Sequence, residues 1–169
     1  TSWLATTETA VQWLAPTAIS LREWMGQNPA WGDRALPQLL QELRRLYPVA
    51  FSPQMAWATL DQAGLGDWQI QPIHLTGQTQ PDLILTLNPA AVAPVAQAIA
   101  GKKVTLPNSG PRTFIFSGTG QLLYSDGATT TAQVYRAIAD LGEKTPRLVV
   151  SAGGRSRLLQ WSSQDQKFE

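Results

Sequence analysis

Residues 74–87 read "HLTGQTQPDLILTL". The first half is turn chemistry: Gly77 and Pro81 punctuate a run of Thr and Gln. The second half, opening at Asp82, is an unbroken apolar and β-branched run, Leu83 to Leu87, with the length and content of a strand. The turn has the rhythm of an acidic loop that holds calcium, yet most of the acids are absent.

Outward from this stretch, the pattern changes near residue 66. "WQIQPIHL" alternates and reads as a strand, whereas the residues before it carry helical periodicity. In "TTETAVQWLAP", Thr6 or Thr7 can cap a short helix that Pro16 ends. "TAISLREWMGQNP" has a rough apolar face of Ile19, Leu21, Trp24 and Met25, closed by Gly26 and Pro29. "DRALPQLLQELRRLYP" gives the clearest helix. Asp33 is its candidate cap, Leu36, Leu39, Leu40, Leu43 and Leu46 recur every three or four residues, and Pro48 stops it. "SPQMAWATLDQAGLG" predicts a fourth helix with Ser52 as cap, Pro53 in its first turn and Gly64 at its end.

Beyond residue 66, "RTFIFSGTGQLLYSD" predicts a hairpin turning through Gly118 and Gly120. "RLVVSA" and "RLLQWSS" predict strands joined by Gly153-Gly154. Ala91 to Ala100 predicts a helix, provided that Pro94 sits in its first turn. "VYRAIADL" suits helix or strand by periodicity.

A second copy of the opening stretch bears on that choice. "IHLTGQTQPDLILTL" lies beside "IADLGEKTPRLVVSA" with Gly77 on Gly142, Pro81 on Pro146 and Leu83-Ile84-Leu85 on Leu148-Val149-Val150, with Thr76 as a one-residue insertion. Each copy follows a short alternating segment and precedes a candidate hairpin. Two related units are expected, over about 68–126 and 132–169, and the match favours strand for "VYRAIADL".

The unit resembles the FG-GAP or VCBS-type repeat of β-propellers, in which a strand leads through an Asp-rich turn to a second apolar strand. The resemblance covers roughly residues 68 to 87 and 134 to 162 and implies a β-sheet unit. In calcium-binding members the turn supplies oxygen ligands. Position by position, His74 and Gln78 stand where acids would, and only Asp82 remains. In the second copy Asp140 and Glu143 are present, but Arg147 replaces the counterpart of Asp82 and Lys144 adds positive charge. Calcium needs six to eight oxygens, several of them carboxylates, so no metal is expected in either turn. Two units are also too few to close a propeller.

Composition excludes several function classes. The 169 residues include no Cys, which removes disulfides, thiolate catalysis and Cys-ligated zinc. Charged residues make up 15%, against about 25% in typical domains, so polar surface must come from Thr, Ser and sixteen Gln. This composition also resembles the style of cyanobacterial proteins. The net charge is +1, and Arg44-Arg45 and Arg155-x-Arg157 are too short for a basic stripe, so no nucleic-acid partner is expected. No apolar run approaches the length of a membrane span. The chain starts at Thr1 with no initiator Met, as expected of a processed chain or an excised domain.

Candidate chemistry is sparse. His74 is the single histidine and has no local nucleophile or orienting acid; it is expected as a half-buried residue of the turn or strand. Asp61 and Asp67 flank "QAGLG", and Glu23 and Asp33 flank "WMGQNPAWG", but neither pair stands out as the facing carboxylates of a glycosidase. "SGTGQ" and "SAGGRSR" lie between strands rather than opening a helix, which favours tight turns over a phosphate cradle. Seven tryptophans are many for this length. Trp24 and Trp31, around a Gly-Asn-Pro loop, and Trp161 are the candidates for partial exposure and interaction.

The fold expected is α+β: an N-terminal helical segment, residues 1–66, packed on a C-terminal antiparallel β-sheet, residues 67–169, built from two related units, the whole forming one compact domain. The function expected is a non-catalytic protein-interaction domain, part of a larger extracytoplasmic or envelope-associated (for example periplasmic) protein, without catalytic residues, metal or cofactor. A carbohydrate-binding or glycoside-hydrolysing domain, using Trp platforms and a carboxylate pair, is the alternative.

Overall fold

The computed structural model describes residues 12–14, 17–87, 89–104, 112–125, 134–139, 147–152 and 155–169. The candidate helix start at Thr6 or Thr7, Pro16, Trp3, the second turn with Asp140, Glu143 and Lys144, and Gly153-Gly154 lie outside them. The fold is α+β.

The apolar run of the opening stretch becomes β4 (Asp82–Leu87), at the centre of a five-stranded antiparallel sheet in the order β2 (Ile19–Ser20), β3 (Gln69–Ile73), β4, β5 (Arg112–Phe116), β6 (Leu122–Ser125). β4 does not alternate because the sheet is covered on both faces. Leu83, Leu85 and Leu87, with Phe114 and Phe116 of β5, pack in one core cluster with the helices. Ile84 and Ile115 point the other way, into a second cluster with Leu148, Val150 and Leu159. A strand buried on both sides reads as continuous apolar sequence.

The helix layer contains α1 (Leu21–Gln27), α2 (Pro29–Leu46), α3 (Trp57–Gln62) and α4 (Pro89–Ala100). Ser20 caps α1 by accepting from the Glu23 amide at 3.1 Å. In α2, Trp31, Ala35, Leu39, Leu40, Leu43 and the following Tyr47 are buried, so the three- and four-residue spacing does mark the inward face. Its start differs from the expected cap at Asp33. Asn28 stands at the cap position and Pro29 opens the helix, where its missing N–H is harmless. The helix after Ser52 is shorter than expected. The Ser52 hydroxyl accepts from the Gln54 amide at 3.3 Å and meets the Gln54 side chain at 2.6 Å, a local turn that competes with helix initiation. Gly64, at φ 109, ends the segment as expected. Pro94 lies inside α4 rather than in its first turn; it faces solvent there.

Among the described residues the strands divide into two larger sheets and a two-stranded ribbon, where a single sheet was expected. The second sheet has the order β1 (Gln12–Leu14), β7 (Val134–Ala139), β8 (Arg147–Ala152), β9 (Arg155–Leu159). β1 falls within the segment expected to be helical, where the edge of β7 supplies a backbone partner for Gln12–Leu14. A two-stranded ribbon, β10 (Trp161–Ser162) and β11 (Lys167–Phe168), completes the chain.

The two units are in matching register. Gln71 opposite Ile84, Pro72 opposite Leu83 and Ile73 opposite Asp82 correspond to Arg136 opposite Val149, Ala137 opposite Leu148 and Ile138 opposite Arg147. The ladder from Leu83–Phe116 to Leu87–Arg112 corresponds likewise to that from Leu148–Leu159 to Ala152–Arg155. Ile73 thus matches Ile138, and Gly77 and Pro81 still match Gly142 and Pro146 with no insertion at Thr76. The surroundings differ. Leu83, Leu85 and Phe116 face helices, whereas their counterparts Leu148, Val150 and Leu159 face the first sheet. Among the described residues, no helix is long and apolar enough to cross a membrane.

This layering predicts unequal sensitivity. Leu85→Ala opens a void between sheet and helices and is expected to cost about 2–5 kcal/mol in denaturant unfolding. Leu158, 48% exposed on the outer side of the second sheet, is expected to tolerate Leu158→Ala within about 0.5 kcal/mol.

Candidate functional site

Three connections meet at one end of the first sheet: the β3–β4 turn, the β5–β6 turn and the β10–β11 ribbon. Between them lies a cleft of about 470 Å³, lined by Thr76, Gln78–Gln80, Ser117–Thr119, Gln121, Leu123, Trp161 and Gln166. None of these residues is ionisable. The lining offers hydroxyls, amides and one indole, a donor and acceptor set that serves a neutral polar ligand.

The first turn is organised by Asp82, which is 1% exposed. Its Oδ2 accepts from the backbone N–H of Leu75 at 2.9 Å and of Thr76 at 3.0 Å, and the Thr76 hydroxyl reaches Oδ2 at 3.0 Å. The one acid retained in the calcium-like turn is therefore directed inward, onto the turn's own donors. Burial pushes its pKa above the ordinary carboxylate value, while the hydrogen bonds from Leu75 and Thr76 and the proximity of His74 pull the other way. His74 is exposed rather than half-buried; its Nδ1 lies 3.3 Å from the Gln78 carbonyl. Among the described residues, no group of three or more His, Cys, Asp or Glu could hold a metal.

The second turn is braced by α2. The Trp31 indole N–H donates to the Ser117 carbonyl at 2.9 Å. Gln38 accepts from the Leu122 amide at 2.9 Å and donates to the Gly120 carbonyl at 2.8 Å. Inside the turn, Ser117 Oγ accepts from the Gln121 amide at 3.0 Å and lies 2.8 Å from the Thr119 hydroxyl. Glycine is required twice. Gly120 has φ 94, and a Cβ on Gly118 would come within 2.5 Å of the Gln80 Cβ and 2.8 Å of the Pro81 carbonyl oxygen. The two turns touch at Gly118, and any side chain there would push them apart.

The ribbon forms the third wall. Gln160 and Glu169 exchange backbone hydrogen bonds at 2.9 and 3.0 Å. Phe168 is buried, with its ring centroid 5.2 Å from Trp161 and 6.2 Å from Tyr124. Trp161 is half-buried and lines the cleft.

The other two interaction candidates lie elsewhere. Trp31 is 5% exposed, which corrects its expected partial exposure. Its ring packs edge-to-face on Phe116 at 5.5 Å and on Trp24 at 6.1 Å. Trp31 thus shapes the cleft from behind by holding Ser117. Trp24 is half-buried, and its buried indole N–H has no hydrogen-bond partner among the described residues. Asp61 and Asp67 do come together, but around a cation: Arg22 donates to them at 2.7 and 2.8 Å. The hydrogen bond to Asp61, then that to Asp67, raises the Arg22 pKa. This exposed cluster ties α1 to α3 and lies apart from the cleft.

The glutamines that line the cleft were missed as site residues. The signal available in the sequence is their abundance; four of the sixteen meet here. No known protein family, curated protein or solved structure matches the chain.

Asp82 gives a pH test. Its folded-state pKa is raised, so its contribution to stability is fully present below the unfolded value, about 4, and is lost as pH rises through the folded value. The unfolding free energy of the native chain minus that of Asp82→Asn should therefore fall as pH rises from about 4. Asp82→Ala strands two buried amides and is expected to cost about 2–4 kcal/mol at neutral pH, more than Asp82→Asn.

Proposed function

We propose that this chain is a non-catalytic carbohydrate-binding domain, with its ligand site in the cleft beside Trp161. The observation that carries this reading is the cleft's chemistry. Neutral hydroxyl and amide groups surround a partly exposed indole, and the described lining contains no carboxylate. An indole face provides flat apolar area for the C–H face of a pyranose, and side-chain amides pair with its hydroxyls. With no acid–base pair among the described residues of the cleft, retention of a glycan is favoured over its hydrolysis. Turns held in advance by Asp82, Trp31 and Gln38 favour binding, because little order has to be created on association. A larger extracytoplasmic or envelope-associated parent protein suits such a ligand.

A protein-interaction domain is the second reading. Val49, 66% exposed, and Leu158, 48% exposed, favour it as apolar contact points outside the cleft. Kinship with FG-GAP or VCBS-type repeats remains part of our proposal, supported by the matching register of the two units.

Titration with neutral cello-, xylo-, malto- and chito-oligosaccharides, followed by calorimetry and indole NMR, tests the carbohydrate reading. At least one series is expected to bind, and Trp161→Ala should weaken it at least tenfold, a loss of about 1.4 kcal/mol or more. Lack of binding at millimolar sugar, or undiminished binding by Trp161→Ala, would sink it.

A further inference from the structure

Gln166 occupies a backbone conformation that its side chain disfavours. Its φ is 54, and it is the one non-glycine residue at positive φ among those described. An L residue in the left-handed region brings its Cβ against the following carbonyl, and Gly or Asn is the usual occupant. Elsewhere glycine takes such positions: Gly64, Gly77, Gly101 and Gly120 all have positive φ. At the tip of the β10–β11 ribbon the chain departs from that practice.

The departure coincides with the cleft. Ser162 pairs with Lys167, so residues 163–166 form a four-residue connection and Gln166 is its last member. The turn and its base are also closed by contacts that do not involve this side chain. The Asp165 amide donates to Ser162 Oγ at 3.1 Å, and the Gln160–Glu169 backbone pair and the buried Phe168 anchor the ribbon's base. Gln166 lines the cleft together with Trp161 of the same ribbon. Its Nε2 donates to the Ser163 carbonyl at 2.6 Å, which orients the amide. An amide has a second N–H and a carbonyl oxygen to offer. A donor and an acceptor side by side match two neighbouring hydroxyls of a sugar.

We propose that Gln166 is a specificity-determining ligand contact, kept in a strained conformation because its amide grips a vicinal diol of the sugar stacked on Trp161. This rests on the carbohydrate reading above. Strain at a residue that lines a binding site belongs to a recurring association between unfavourable backbone and function. Here it has a distinctive consequence: stability and binding must respond in opposite directions to one substitution.

Four chains decide it: native, Gln166→Gly, Gln166→Asn and Gln166→Ala. Melting is followed by calorimetry. Affinity is measured with the neutral oligosaccharide that the native chain binds best and with its analogues lacking single hydroxyls. Gln166→Gly and Gln166→Asn relieve the backbone and should melt about 1–3 °C higher. Gln166→Gly should bind at least tenfold more weakly, as should Gln166→Ala with no rise in melting temperature. The native chain should discriminate against one deoxy analogue, and Gln166→Gly should lose that discrimination. A more stable Gln166→Gly chain with undiminished affinity would overturn the proposal, and so would one no more stable than native. If Trp161→Ala still abolishes binding while Gln166→Gly leaves it intact, this inference fails and the carbohydrate reading stands. If the native chain binds no sugar, both fail.

Discussion

Burial of one sheet on both of its faces is the constraint on which the rest of the molecule depends. Leu83 and Leu85 must be covered by helices, and Ile84 and Ile115 by a second sheet, because either face left in water would forfeit the hydrophobic contribution of several large side chains. Two of the helices, α1 and α3, are short and have too few turns to persist alone. They are held by the face of β4 and β5 that they cover. The second sheet is a copy of the central part of the first, yet its equivalent inward residues meet a sheet where the first meets helices. The same register has thus been used in two environments, differing in what lies against each face.

The cleft follows from this layering. Both of its turns emerge from the same end of the first sheet, and each is tied back to the interior. Asp82 draws in the β3–β4 turn through buried hydrogen bonds, and Trp31 and Gln38 reach from α2 to hold the β5–β6 turn. The layer that covers the sheet therefore also fixes the geometry of the site. Gly118 lets the turns approach, and the ribbon carrying Trp161 and Gln166 closes the third side through Phe168. Such bracing spares a ligand the entropy of ordering the loops, and it leaves Gln and Thr side chains of both turns lining the cleft.

Most strands were legible because apolar runs and turn residues are local signals. The strand reading of "VYRAIADL" came from the repeat alone and agrees with β7. Helix boundaries were less legible. Ser52 has the chemistry of a cap, but its hydroxyl serves a local turn instead, and Pro29 competes with Asp33 for the start of α2. Residues 12–14 show how a neighbouring edge overrides local propensity: unpaired backbone groups of β7 recruit them as a strand. Trp31 was misjudged because flanking Gly and Pro suggest a loop, whereas it is the inward-facing residue of the first turn of α2.

By itself the sequence determined the α+β class, the two related units and the structural character of the Asp82 turn. Those properties are written in residue type and spacing, which act over a few neighbours. The tertiary structure decided that the units stack as separate sheets, which tryptophans are buried, and that glutamines from three distant turns share one cleft. Each of these depends on groups far apart in the chain arriving at the same place, and no local pattern encodes which surfaces will meet. Only when the first sheet is buried on both faces do Trp31, Asp82, Gln121 and Gln166 acquire their places around one site.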